Sequence, residues 1–154
     1  MMPEAHFAFS LIVWNLLHRI GIAPDYLSLF IVLGIGVGID IDIIFVRPHR
    51  ISFLHYPLTW VIVGLIFSYL SVEYTYIIIA SSLGHFILDS IDWTVYWLAP
   101  FSMRGFGLKI HEKNSKLDPH NDRLTDFIKE YYKDMKMILI EITLLIMALI
   151  ICII

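Results

Sequence analysis

The sequence predicts an all-α integral membrane protein, a polytopic bundle of four to five transmembrane helices. Two observations support this prediction. Of the 154 residues, 58% are hydrophobic and only 16% are charged, whereas charged residues make up roughly a quarter of ordinary soluble domains. The apolar residues are also grouped into five segments, at residues 7–17, 26–46, 57–72, 74–98 and 137–154.

A helix needs roughly 20 apolar residues to cross the core of a bilayer. By that measure, segments 57–72 and 137–154 are the clearest candidates for crossing. The first segment is short, and the second and fourth contain ionisable side chains, so hydropathy alone does not show that these three cross. We nevertheless expect a multi-pass protein of the cell membrane, with the lipid bilayer as its first partner.

The basic residues indicate the orientation. Eight of the eleven Lys and Arg residues lie within 101–136, and two more lie between the second and third segments. The positive-inside rule places both stretches, and the N-terminus, in the cytoplasm. The predicted domains are a membrane-embedded metal-site domain of four helical spans at 1–102, a cytoplasmic loop with an amphipathic helix at 103–136, and a transmembrane helix at 137–154.

The amphipathic helix is predicted from apolar side chains that recur at helical spacing between residues 127 and 135, opposite a charged face. Such a helix lies on the cytoplasmic membrane surface or packs on the bundle as a solvated helix. The pattern is compatible with both arrangements.

Several classes of function are disfavoured. The formal net charge is -3, so no basic field predicts a nucleic-acid partner. The single cysteine, Cys152, rules out an intrachain disulfide or a thiolate metal cluster. The sequence has no P-loop, dinucleotide fingerprint or nucleophile elbow.

Seven histidines and aspartates in the apolar segments or beside them are predicted to lie at one depth in the membrane. Under the orientation above, all of them approach the cytoplasmic ends of the helices, and His85 lies slightly deeper in the same half. They are His6, Asp40, Asp42, His49, His55, Asp89 and Asp92.

His85, Asp89 and Asp92 form the most specific local pattern, because their spacing of i, i+4 and i+7 places them on one face of an otherwise apolar helix. A charge at the centre of a spanning helix costs about 2.5 to 3.5 kcal/mol. No Lys or Arg lies inside any span, which leaves a metal ion or protonated carboxyl groups, and we favour the metal. Histidine together with carboxylate suits zinc best, with manganese or iron as alternatives.

Asp40 and Asp42 follow a run of glycines. They are about 200° apart on a regular α-helix, so they can share a ligand only if the helix ends or unwinds there. The alternative is an ordinary helix end with two solvated carboxylates. Gly34 and Gly38 form a small-xxx-small pair that indicates either close helix packing or a loosened backbone before Asp40.

His49, Arg50 and His55 follow within fifteen residues of the aspartate pair. Each histidine alone is typical of a surface or a helix end, but their common depth with the aspartates favours a site. Arg50 is the candidate holder of a substrate anion, since a guanidinium can bridge two phosphate oxygens.

The order of these residues resembles the YdjM-like membrane-bound metal-dependent hydrolases. The similar elements cover about residues 3 to 102 and are His6, Gly38-Ile39-Asp40-Ile41-Asp42, His49-Arg50 with His55, Gly84-His85-Phe86-Ile87-Leu88-Asp89 and Pro100-Phe101. That group is distantly similar to the zinc-dependent phospholipase C class.

The resemblance implies that metal is bound by His6, Asp40, Asp42, His55, His85 and Asp89, with His49 and Arg50 near the site. The chain departs from the family pattern at Ile39, where proline is usual, and at Ile51, where glycine is usual, and His55 lies one residue further on.

We therefore expect a membrane-bound metal-dependent hydrolase that acts on a phosphoester or lipid-linked ester, with a phospholipid as the candidate substrate. Asp92 or Asp42 is the candidate general base, and His49 and Arg50 are the other candidate catalytic residues. The alternatives are a non-enzymatic protein that conducts protons or cations through the same His/Asp cluster, and a membrane scaffold with a vestigial site.

Overall fold

The computed structural model describes residues 3–23, 25–44, 52–108, 129 and 131–154, except for the side chains of residues 42–44. Within these ranges the chain forms five α-helices and no β-strand, which confirms the predicted all-α class. The helices are α1 (Pro3–Arg19), α2 (Tyr26–Gly38), α3 (Pro57–Phe67), α4 (Val72–Asp92) and α5 (Met135–Ile153). Short 3-10 helices occupy Ile39–Ile44 and Phe53–His55.

The helices begin where the sequence supplies caps. Asp25, Ser71 and Asp134 each accept a hydrogen bond from a backbone amide in the first turn of α2, α4 and α5, respectively. These bonds satisfy donors that the helix itself leaves free. Pro57 occupies the first turn of α3, where a missing N–H costs nothing.

All five helices contribute to one bundle. Helices α1, α2 and α4 pack on one another, α3 packs on α4, and α5 packs on α1. Ala5 lies near Met137, and Ala8 lies near Ala148, so α5 runs parallel to α1. The first turns of α1, α3 and α5 and the last turns of α2 and α4 therefore meet at one end of the bundle, which we call the site end.

By length and composition, two helices in the described part of the chain could cross a membrane, α4 with 21 residues and α5 with 19. Helix α3 has 11 residues and spans about 16 Å at 1.5 Å per residue, against roughly 30 Å for a bilayer core. The prediction that segment 57–72 is a clean span is therefore wrong. The fourth predicted segment also ends early, because α4 stops at Asp92.

Close contact between α1 and α2 depends on Gly36. A Cβ atom at this position would lie 1.8 Å from the Ser10 Oγ of α1, whereas a Cβ at Gly34 or Gly38 would meet nothing within 4 Å. Of the two alternatives for the Gly34 and Gly38 pair, close helix packing is therefore not found among the described residues of this chain. The glycine between them is the one that lets the two backbones approach.

Of the predicted amphipathic segment, residues 129 and 131–135 lie within the described ranges, and its predicted apolar face is divided: Tyr132 and Met135 are exposed, whereas Tyr131 is not. Tyr131 is fully buried against Ala5, Leu88 and Met137. Its hydroxyl donates a 2.7 Å hydrogen bond to Glu141 Oε1, which gives the buried carboxylate of α5 a partner. At this residue the segment packs on the bundle.

We predict that Gly36→Val destabilises the protein by about 1 to 3 kcal/mol, the usual effect of overpacking a close contact. The matched control is Gly34→Val, whose side chain has open space and should leave stability unchanged within about 0.5 kcal/mol. Thermal unfolding in detergent, followed by tryptophan fluorescence, measures both. Equal melting temperatures for the two variants would contradict this account of the α1–α2 contact.

Candidate metal centre

Four side chains at the site end bring their ligand atoms together. One donor atom each from Asp40, His55, His85 and Asp89 lies within 4.8 Å of every other. The histidines and Asp89 are buried, and the side chain of Asp40 is 18% exposed. Three separate elements contribute, so this group exists only after α2, α3 and α4 have packed.

Asp40 is positioned by the end of α2. The α-helix stops at Gly38 and continues as a 3-10 helix from Ile39, so the predicted unwinding before the aspartates is confirmed. Ile39 is buried against Phe86 and Val95, and this contact fixes the backbone next to Asp40. Asp42 lies in the same 3-10 helix, and its side chain lies outside what the structure describes.

His55 is positioned by the turn that starts α3. It ends a 3-10 helix immediately before Tyr56, whose extended backbone is the conformation that a following proline favours. The indole N–H of Trp60 donates to the Leu54 carbonyl at 2.8 Å and ties this turn to α3. His55 Nε2 then lies 3.1 Å from Asp40 Oδ1.

His85 is oriented by a backbone carbonyl on another helix. Its Nδ1 lies 2.8 Å from the Gly36 carbonyl oxygen. Because a carbonyl can only accept, Nδ1 carries the proton, and in a neutral imidazole Nε2 then presents a lone pair. That nitrogen lies 3.5 Å from Asp89 Oδ2 and 3.7 Å from Asp40 Oδ1. Metal-binding histidines are held in this way by their second nitrogen.

His6 joins the group from the first turns of α1. Its Nε2 lies 3.2 Å from Asp89 Oδ1 and 3.6 Å from Asp40 Oδ2. Its ring stacks on that of His85, with centroids 4.0 Å apart. The sequence prediction that the N-terminal histidine meets the two aspartates is therefore met by the geometry.

Three atoms of the cluster are buried and have no hydrogen-bond partner among the residues that the structure describes: His6 Nε2, His85 Nε2 and Asp40 Oδ2. Buried polar atoms are normally satisfied, so each needs an explanation. Nitrogen and oxygen ligands about 2.0 to 2.1 Å from a tetrahedral zinc ion stand roughly 3.3 Å apart. Asp40 Oδ1 lies 3.1 Å from His55 Nε2 and 3.7 Å from His85 Nε2, and the four ligand atoms all lie within 4.8 Å of one another, which is close to the spacing that such an ion needs. A divalent metal with nitrogen and oxygen ligands therefore fits the residues present.

The two carboxylates divide the histidines into two sets. Asp40 Oδ1 faces His55 and His85, whereas Asp40 Oδ2 faces His6. Asp89 Oδ2 faces His85, whereas Asp89 Oδ1 faces His6. Each carboxylate thus offers one oxygen to His6 and the other to His85, so both aspartates would be able to contribute a ligand atom on either side.

Among the described residues, one further predicted site residue lies outside this group of ligands. Asp92 is fully buried on α4, one turn beyond Asp89, and it is not among the four clustered ligands. His49 and Arg50 lie outside the described residues. Their predicted roles, and that of Asp92 as general base, stay predictions.

One residue that shapes the cluster, Gly36, was not singled out from the sequence. Gly36 supplies the carbonyl that orients His85, yet it stands in a run of alternating glycines in which nothing local distinguishes it. Its buried position, against the exposed Gly34, appears only in the packed bundle.

Comparisons with protein-family models, with curated proteins and with solved structures found no match. The resemblance to the YdjM-like hydrolases therefore stays a prediction, supported by the order of the residues quoted above.

We predict that His85→Ala and Asp89→Ala each weaken divalent-metal binding by more than the roughly 10- to 100-fold that loss of an outer-shell contact costs, since each removes a ligand atom. The control is His18→Ala, because His18 is an exposed histidine that accompanies Trp14 at the other end of α1. Titration of metal-stripped protein with Zn²⁺ in detergent measures the affinities. Unchanged affinity in both site variants would exclude this cluster as the metal site.

Proposed function

We propose that this chain is a membrane-embedded, metal-dependent hydrolase of phosphoesters, of the kind to which the YdjM-like resemblance points. The observation that supports the proposal most is the cluster of Asp40, His55, His85 and Asp89, which His6 joins. Three of its buried ligand atoms have no hydrogen-bond partner within the described part of the chain. Buried carboxylates and imidazoles are costly unless paired or bound to a metal. A metal cation could bind all of these carboxylate oxygens and imidazole nitrogens at once.

The surface of the bundle supports a position in the bilayer. Only 17% of the most apolar 18-residue stretch of α5 is buried inside the protein. The exposed face of α5 carries large aliphatic side chains, among them Leu139, Ile146 and Leu149. An exposed helix that is apolar on all sides is typical of a membrane span. We infer that α4 and α5 cross the membrane and that the shorter helices are embedded beside them, with the site end on the cytoplasmic side.

In this proposal, four side chains bind the metal and one backbone carbonyl orients a ligand. Asp40, His55, His85 and Asp89 hold the metal, and the Gly36 carbonyl keeps the Nε2 of His85 available. A divalent metal at such a site lowers the pKa of a water molecule toward about 7 and polarises a phosphoryl oxygen. Zinc suits the mixed nitrogen and oxygen ligands, with manganese and iron as alternatives.

Access to the cluster is set by burial. The side chain of Asp40 is 18% exposed, whereas those of His6, His85 and Asp89 are 0% exposed. Asp40 therefore marks the side from which water and substrate reach the donors. The histidines behind it are shielded from solvent, which strengthens electrostatic interactions there.

We predict two metal ions per chain in the wild-type protein and one in His6→Ala, because within the described residues His6 is the histidine that faces the second oxygen of both Asp40 and Asp89. Metal analysis by mass spectrometry of detergent-purified protein gives the stoichiometry, with His18→Ala as the control that keeps two. Far-UV circular dichroism verifies that the variants retain their helices. Equal metal content in wild type and His6→Ala would contradict the division into two sets, and no metal in either would contradict the hydrolase.

We predict that Asp92→Asn retains the metal but slows phosphoester hydrolysis by roughly 10²- to 10⁴-fold, the contribution of a positioned general base. Release of phosphate from aryl phosphoesters measures the rate, with and without a chelator. The control is Asp25→Asn, since Asp25 caps α2 at the opposite end and asparagine caps equally well. Metal-dependent ion flux in proteoliposomes without any ester turnover would favour the conducting protein instead.

A further inference from the structure

Tyr131 is a large buried side chain to which the metal centre described above assigns no role. It precedes the first residue of α5, Met135, by one helical turn and has no exposed surface. It shares one buried cluster with Ala5 of α1, Leu88 of α4 and Met137 of α5. Helices α4 and α5 each pack on α1, so the ring of Tyr131 lies where the three helices come together at the site end.

Two members of this cluster are direct chain neighbours of residues at the metal centre. Ala5 precedes His6, and Leu88 precedes Asp89. Successive residues of an α-helix are about 100° apart around its axis, so the faces that carry Ala5 and Leu88 border the faces that carry His6 and Asp89. A displacement of either helix at the tyrosine therefore also displaces a residue of the metal centre.

The contact between His6 and Asp89 depends on the distance between α1 and α4. His6 Nε2 lies 3.2 Å from Asp89 Oδ1. The same two helices approach closely at Gly84, where a Cβ atom would lie 2.5 Å from the ring of Phe9, and Phe9 also packs on the Tyr131 cluster. The spacing of α1 and α4 is thus set by the close contact at Gly84 and by the ring of Tyr131 next to the ligands.

The ring of Tyr131 is also tied to α5. Its hydroxyl donates a 2.7 Å hydrogen bond to Oε1 of Glu141, a carboxylate of α5 that is itself buried. Bonded polar groups inside a protein favour one arrangement of the surrounding core. The position of this ring is therefore fixed relative to all three helices.

A metal centre is sensitive to small changes in helix spacing. Its ligands must be held within about 0.5 Å of the geometry that binds the metal. When a large buried side chain is shortened, the surrounding core closes in only partly and leaves a cavity. A shorter residue at position 131 would let α1 shift or move relative to α4, and either change loosens the contact of His6 with Asp89.

We propose that Tyr131 is a positioning residue of the metal centre, because its ring sets the separation of α1 and α4 and thereby holds His6 against Asp89. The proposal rests on the metal-dependent function proposed above and names a residue through which the segment before α5 controls that site. Tyr131 acts through these two residues and is not itself a ligand. Docking of this segment on the bundle and binding of metal by His6 are therefore linked.

Zinc titration of the metal-stripped, full-length protein in detergent tests this role, with Tyr131→Leu and Tyr131→Phe beside wild type. Leucine is apolar but shorter, and we expect it to weaken the zinc binding that depends on His6 by about 10- to 100-fold, as for other contacts that orient a ligand. Phenylalanine keeps the ring and should restore binding close to that of wild type. Equal weakening by both substitutions would contradict the role of the ring.

The double variant His6→Ala/Tyr131→Leu shows whether the tyrosine acts through His6. Once the histidine is gone there is nothing left to hold against Asp89, so we expect the double variant to bind zinc like His6→Ala alone. Such non-additivity is typical of residues that act together, and additive losses would overturn the proposal. The visible spectrum of bound Co²⁺, which reports ligand geometry, should change in Tyr131→Leu and stay as in wild type in Tyr131→Phe.

Two controls separate positioning from a general loss of stability. Tyr132→Leu makes the same substitution at an adjacent, exposed tyrosine and should leave zinc affinity unchanged. Ile77→Ala removes a buried side chain near the start of α4, which costs about 2 to 5 kcal/mol of stability and should also leave zinc affinity unchanged. A loss in Ile77→Ala as large as that in Tyr131→Leu would overturn the proposal.

The same titration distinguishes failure of this proposal from failure of the proposed function. Wild-type affinity in Tyr131→Leu, together with weakened binding in His6→Ala, would refute the positioning role and leave the metal centre intact. Wild-type protein that binds no zinc would refute the metal-dependent function and the positioning role with it.

Discussion

The cost of burying Asp89 constrains much of the architecture. Its carboxylate has no exposed surface, yet it lies on one of the two described helices long enough to cross a membrane. The effective penalty for burying an unpaired ion is several kcal/mol. His85 does not offset it by itself, because its Nδ1 carries the proton and its Nε2 presents a lone pair to the carboxylate. The compensating positive charge would come from a cation held between this carboxylate and the neighbouring histidines. His6 of α1 and His85 of α4 lie within 3.5 Å of the carboxylate, and Asp40 faces the same histidines. The site end of the bundle can only be assembled if α1, α2 and α4 converge there.

That convergence is possible because α1 and α2 approach at a small residue. Gly36 lies against Ser10 and lends its carbonyl to His85, so one residue serves both helix packing and ligand orientation. A side chain here would move α2 and, with it, the carbonyl that fixes the His85 tautomer. Helix packing and metal binding are thus coupled at one position. A carbonyl that accepts from the far nitrogen of a histidine in this way holds the ring in a single orientation.

The remaining elements surround the polar His/Asp cluster with apolar side chains. Buried Tyr131 and Glu141 fasten the start of α5 to the same end of the bundle, and the 93–108 loop continues from α4 with apolar side chains exposed. Beyond the site end the helices present large aliphatic groups to their surroundings. A polar centre beneath an apolar rim suits a substrate whose head group is hydrophilic and whose tail is not. The proposed function is compatible with this separation of polar and apolar surfaces.

The sequence by itself determined the helical class and the pairing of His85 with Asp89, because both depend on short-range periodicity: apolar runs form helices, and positions four apart share a face. The uneven distribution of basic residues also predicted that the distant histidines and aspartates lie at one end. Tertiary structure alone decided that Gly36, rather than Gly34 or Gly38, packs closely, and that Tyr131 packs beside the chain neighbours of His6 and Asp89. It also decided that α3 stops after 11 residues. These features depend on which surfaces of distant segments meet, and local spacing carries no information about that.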